Sequence, residues 1–208
     1  MVEVLFTQGS GLMSKAEELY EIYSTNKRSD WSKYLKKIGT VDQKDINEFL
    51  SLAWHEEGDS LLYWVTGSFI SDILNTCYSY KIIEIDANLV NGELEIGTGF
   101  DWDGILVVKG DVKFDVGYGM KKGVIIIEGD VKGNVGEFMK GGMIIVNGFV
   151  GGFVGNNSLN GVIVLNGELK KGPVAMSLLG TRFESCFMGA LVIHNKNIFL
   201  GKKIDNEW

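Results

Sequence analysis

From Gly104 onward the chain restarts itself every 19 residues. GVIIIEGDVKGNVGEFMKG (123–141) runs straight into GMIIVNGFVGGFVGNNSLN (142–160) and then GVIVLNGELKKGPVAMSLL (161–179). Three glycine registers keep this period: Gly104, Gly123, Gly142, Gly161 and Gly180; Gly110, Gly129, Gly148 and Gly167; Gly117, Gly136 and Gly155. A self-similar unit with a β-branched run in every copy is the signature of a solenoid, whose coils bury their faces only by stacking. The unit is too short for a leucine-rich repeat and lacks that repeat's Leu/Asn pattern; it suits one turn of a parallel β-helix. Each coil then holds a long strand (105–109, 124–128, 143–147, 162–166), a glycine corner, a short strand such as 130–132, and another corner. Corners call for positive φ or close approach of backbone to the next coil, and glycine supplies both without a Cβ clash. Gly110, Gly117, Gly123, Gly129, Gly136, Gly142, Gly148, Gly155 and Gly161 are read as these corners. Gly97-Thr-Gly99 and Gly117-Tyr-Gly119 lack the third glycine of a dinucleotide fingerprint, so the glycines are geometric and no cofactor is expected.

Before the repeat the pattern is helical. Ser14-Lys-Ala-Glu17 has capping-box spacing ahead of Leu19, Tyr20 and Tyr23. Asp30 opens a second helix through Trp31, Tyr34, Leu35 and Ile38, closed by Gly39, and Asp42 opens a third carrying Ile46, Phe49, Leu50, Ala53 and Trp54. Residues 60–80 hold a fourth, although Trp64, Val65 and Thr66 suit a strand equally and Gly67 is a candidate divider. The expected organisation is a flexible tail or tag remnant (1–13), a helical domain (14–81), and a β-helix of about five coils with a C-terminal cap (82–208): an α+β fold.

Composition narrows the function. With a net charge of -7 and Arg only at 28 and 182, nothing offers the clustered basic surface a nucleic-acid partner needs. No apolar run is long enough to span a membrane and the opening residues lack the basic start of a secretory signal, so the expected compartment is the cytoplasm. Cys77 and Cys186 have no CxxC spacing and read as two buried thiols.

GDVKGNVGEFMKGG (129–142) and GFVGGFVG (148–155) resemble the GXGXG repeat shared by the C-terminal domain of the large chain of glutamate synthase and one of the chains of formylmethanofuran dehydrogenase. Gly148, Gly151 and Gly155 match its G-x-x-G-x-x-x-G core, Gly129 and Gly136 match it around Lys132, and Met139, Gly141 and Gly142 match M-x-G-G. The resemblance covers about 85–180 and implies a right-handed β-helix with a structural role, holding catalytic domains or subunits together. It brings no catalytic residue with it. The repeat decays after Gly167, with Val174 where the third register wants glycine.

Chemistry on such a fold would sit on stacked polar columns. Asp111, Asp130 and Glu168 share one column and Lys113, Lys132 and Lys170 another, but alternating charged ladders are ordinary solvated surface. Around Ser158 the nucleophile-elbow spacing is wrong. With only His55 and His194, no metal site is expected. Trp31, Trp54 and Trp64 read as core aromatics, with a ligand-stacking site as the alternative. The informative feature is apolar. Leu106/Val108, Ile125/Ile127, Ile144/Val146 and Ile163/Leu165 make one strand face, and Ile105/Val107, Val124/Ile126, Met143/Ile145 and Val162/Val164 the other. A lone β-helix needs only its inner face apolar, so the outer eight are the candidate interaction face. The helical domain, the tail 190–204, a protein partner or a second copy would cover it, with Phe114, Tyr118, Phe138 and Phe153 adding contact surface at corners. The expected function is a non-catalytic scaffold or interaction module. The alternatives are an accessory member of an enzyme complex of the kind the repeat resembles and a small-ligand binder built on the Trp-rich helices.

Overall fold

A computed structural model describes residues 13–57, 62–78, 80–167, 191–194 and 197–200. Among the described residues four α-helices come first: α1 Lys15–Thr25, α2 Trp31–Ile38, α3 Gln43–Glu57 and α4 Leu62–Thr76. Seven strands follow in a single sheet in chain order: β1 Ile82–Asp86, β2 Ile105–Lys109, β3 Val124–Ile127, β4 Met143–Val146, β5 Val162–Leu165, β6 Leu191–His194 and β7 Asn197–Leu200. All neighbours pair in parallel except β6 and β7, which form an antiparallel hairpin. The chain is therefore an N-terminal helical region leading into a parallel β-solenoid of about four turns. The expected fifth coil falls on 168–190, outside the described residues, as do Glu168, Lys170, Val174, Gly180, Cys186, nearly all of the N-terminal tail, and the side chains of His55, Trp64 and His194.

The 19-residue period is a hydrogen-bonding register. Ile105 pairs with Val124, Val124 with Met143 and Met143 with Val162, so each residue stacks on its own counterpart in the next coil. The short segments stack in the same way, Val112–Val131–Val150 and Val116–Val135–Val154. These valines, the Leu106 and Val108 columns and the Phe100–Met120–Met139 column are all buried, and they fill the interior. At roughly 1.5–3 kcal/mol for each fully buried side chain, these columns are the main driving force for coiling.

The corner glycines answer to two constraints. Gly110, Gly117, Gly123, Gly136, Gly142, Gly155 and Gly161 have positive φ, whereas Gly129 and Gly148 do not. The latter two sit where a Cβ would lie 2.3 Å from the Gly110 carbonyl oxygen and 2.4 Å from that of Gly129. The coils touch there through bare backbone.

The helices close the N-terminal end of the stack. α1 starts with the capping box expected at Ser14 and Glu17. α4 is continuous through Gly67, which does not divide it: a Cβ there would lie 1.7 Å from the Glu95 carbonyl oxygen, so glycine lets this helix rest directly on the first coil. α3 packs on β1 and on the 3-10 turn Ala87–Val90 that follows it. One continuous core runs from Leu19, Trp31, Phe49 and Phe69 into Ile83, Ile85 and the coil interior. The free edge of β1 is also blocked. Ile105 N–H bonds to Lys81 C=O on the β2 side, so by strand alternation Ile82 and Glu84 present their backbone outward. There the Tyr78 hydroxyl donates to Ile82 C=O (3.0 Å) and Glu84 N–H donates to Gln43 Oε1 (3.3 Å). Exposed strand edges invite pairing with another chain, and these two side chains occupy the groups that would do so.

Gly136, at φ +70 with Ile163 Cδ1 2.6 Å from its would-be Cβ, and Gly148 test the two constraints separately. Gly136→Val is expected to cost about 1–3 kcal/mol through backbone strain, and Gly148→Ala to cost at least as much because backbone must move. Thermal melts read both; an unchanged midpoint in either variant would remove that constraint.

Candidate functional site

The polar columns come first, because catalysis on a solenoid would need them. The Asp111 carboxylate accepts from Asp130 N–H at 2.9 Å, and Asp130 in turn accepts from Phe149 N–H at 2.9 Å. A second ladder runs alongside: Asp115 accepts from Asn134 N–H (2.6 Å) and Asn134 from Phe153 N–H (2.8 Å). Each side chain reaches one coil onward and satisfies an N–H at a corner where strand pairing lapses. The Asp111/Asp130 column is thus occupied with the backbone, a use beyond the solvated surface expected of it. Asp115 and Asn134 carry the same 19-residue spacing, a signal present in the sequence that the reading of charged columns alone passes over. Asn134 and Asn156 both donate side-chain N–H to Glu137, and Asn166 donates to Asn147 at 2.8 Å. Lys113 pairs with Glu93 at 2.5 Å.

The remaining candidates for chemistry are isolated from one another. Ser158 is fully buried at the end of the Phe100–Met120–Met139 column, its hydroxyl unpartnered and without a base. Burial pushes the Cys77 thiol up to about 12, and the thiol donates to Ile73 C=O, so it is a poor nucleophile. Among the described residues no three His, Cys, Asp or Glu side chains converge as metal ligands. Trp31 is a core residue stacked on Tyr23, with its indole N–H bonded to Asn26 C=O at 3.2 Å. Trp54 is partly buried against the same core.

A groove of about 950 Å³ lies between α1, α3 and the first coil, walled by Leu52, Tyr78, Tyr80, Ile82 and Leu89. Neither Trp31 nor Trp54 lines it. Asn47 Oδ1, in its wall, is buried without a hydrogen-bond partner.

Ile105, Val107, Val124, Ile126, Met143, Ile145, Val162 and Val164 are brought together on the outer face of β2–β5 as expected, and all eight are half-buried. The helical layer packs on the end of the stack rather than serving as the cover for this face. The physical reason is the larger demand at the end, where a whole apolar cross-section and a strand edge would otherwise meet water. At the corners Tyr118, Phe138 and Phe153 are each 41% exposed while Phe114 is half-buried, and the Tyr118 and Phe138 rings meet edge-on at 5.3 Å. Phe138 holds φ 52 in the column of Gly119 and Asn157, a left-handed position that costs a phenylalanine roughly 1–2 kcal/mol.

No family model, curated protein or solved structure matches the chain. Among the described residues no helix is long and apolar enough to cross a membrane.

Two outcomes follow from the electrostatics. Asp130→Asn retains an acceptor, as Asn134 shows in the neighbouring ladder, and should melt close to wild type. Asp130→Ala should lose about 1 kcal/mol; equal melting of both variants would remove the ladder role. At the seam between α4 and the first coil, burial holds the Glu95 carboxyl above its ordinary range, with the Thr98 hydroxyl and the Arg28 charge opposing and Asp115 adding to the rise. The folded state therefore binds this proton more tightly than the unfolded chain. Its contribution to stability is greatest below the ordinary glutamate pKa and declines as pH rises through the higher folded value. Glu95→Gln should thus be more stable than wild type at neutral pH and lose the advantage in acid, read from denaturant titrations at several pH values.

Proposed function

We propose that the chain is a non-catalytic scaffold or interaction module that docks through the outer face of β2–β5. One observation carries this reading: eight apolar side chains form an uninterrupted half-buried block, while the neighbouring polar columns are spent on backbone hydrogen bonds. Contiguous exposed apolar surface on a folded chain marks a contact site. An accessory role beside the catalytic chains of a larger enzyme is the second reading. It is favoured by Gly148, Gly151 and Gly155 and by Met139, Gly141 and Gly142, which resemble the two cores of the GXGXG repeat.

Ile126 and Ile145 sit at the centre of the block, half-buried and pointing away from the interior. Ile126→Asp and Ile145→Asp should leave the inner columns intact and lower the melting temperature only modestly. Binding of a hydrophobic dye to the full chain should fall several-fold in each. Dye binding equal to that of wild type in both variants would overturn the reading.

A further inference from the structure

We infer that the occupant of this face is a second copy of the same chain, packed sheet against sheet about a two-fold axis that runs along the stack of coils. The inference rests on the interaction-face reading above and adds its partner and geometry.

The rims of this face are charged. At β2 Asp103 stands two residues before the strand and Lys109 ends it; at β3 the order reverses, with Lys122 two residues before the strand and Glu128 just after it. At β4 and β5 the trailing rim is neutral, Asn147 and Asn166. These charged residues are exposed, and within the chain they make surface ion pairs, Lys109 with Glu84, Lys122 with Asp101 and Asp103 with Lys81. Such pairs are worth little and are free to exchange partners. Alternation from coil to coil serves these pairs, but opposite signs at the two ends of each strand do not follow from it.

A two-fold axis along the stack lays the leading rim of one copy over the trailing rim of the other at the same level. Asp103 then faces Lys109 of the second copy and Lys122 faces Glu128: both levels are complementary, each contact occurs twice, and β1, whose outer face carries Glu84, lies outside the contact. A two-fold axis along the strands would instead oppose β2 to β5 and β3 to β4, setting Lys109 and Glu128 against Asn166 and Asn147. Charge complementarity therefore selects the first arrangement. Four strands about 4.8 Å apart make a face roughly 19 Å tall and about 17 Å wide, on the order of 300 Å² per copy. A standard interface takes about 800 Å² per partner, so the dimer is weak and forms at high chain concentration.

The test is sedimentation of the full chain over a wide concentration range, at low and high salt, with melting temperatures as a check on folding. Wild type should approach twice the chain mass, less so in salt. Glu128→Lys, which sets lysine against Lys122 of the other copy, should weaken dimerisation about tenfold or more, and Lys122→Glu should do the same. Mixing these two variants, or combining both changes in one chain, should restore the dimer. A chain that stays monomeric at every concentration overturns the second copy, and dye binding lost in Ile126→Asp would then leave the interaction face standing for another occupant. A dimer that neither charge reversal weakens overturns the two-fold arrangement, as does failure of the mixture to recover.

Discussion

In-register stacking of one coil on the next is the interaction on which everything else in this protein depends. From β2 to β5, parallel pairing at a fixed 19-residue offset sets each side chain on its own counterpart, so a choice made at one position is repeated along these coils. Apolar residues become buried columns such as Leu106–Ile125–Ile144–Ile163. Corners have to stack as well, which is why glycine recurs: once to take a left-handed turn, as at Gly136, and once to let two backbones meet, as at Gly129. Asp111, Asp130, Asp115 and Asn134 complete the scheme by offering a lone pair to the next coil where the strands do not pair.

A stack solves the burial problem everywhere except at its ends. The helices answer this at the first coil, and the manner of contact shows how closely they are fitted. Gly67 removes a Cβ so that α4 can touch Glu95, α3 covers β1, and Tyr78 and Gln43 occupy the outward backbone groups of that strand. The aromatic cluster of Tyr23, Trp31, Phe49 and Phe69 makes the cap rigid from within. The cost of the arrangement sits at Glu95, a carboxyl partly removed from water at the seam and held there by the Thr98 hydroxyl.

Because stacking consumes the polar columns, little is left on them for chemistry. Ser158 and Cys77 are shielded, and the carboxylates at the corners already hold backbone N–H groups. The surplus lies in the outward apolar residues of β2–β5, which are half-buried. This contrast between polar groups used internally and apolar ones facing outward is what supports the proposed docking face.

Periodicity is a local, additive property, and so it was readable directly. The sequence by itself determined the solenoid, its coil length, the alternation of inner and outer faces, the positions of the corner glycines and the capping box of α1. It also separated the helical segment from the coils. Other features depend on groups far apart in the chain. That Gly67 serves contact with Glu95 rather than a helix break, that Tyr78 and Gln43 guard the edge of β1, and that the helices close the end of the stack were decided by tertiary packing. The Asp115–Asn134–Phe153 ladder lies between: its spacing was visible, but its hydrogen bonds are specified only once two corners are brought within reach of each other. Phe138 makes the same point, since only the column formed with Gly119 and Asn157 reveals that a phenylalanine occupies a left-handed position. The physical reason is common to all of them. A repeat states which residues will be neighbours along the stack, whereas an end, a seam or an edge is defined by what the rest of the molecule places beside it.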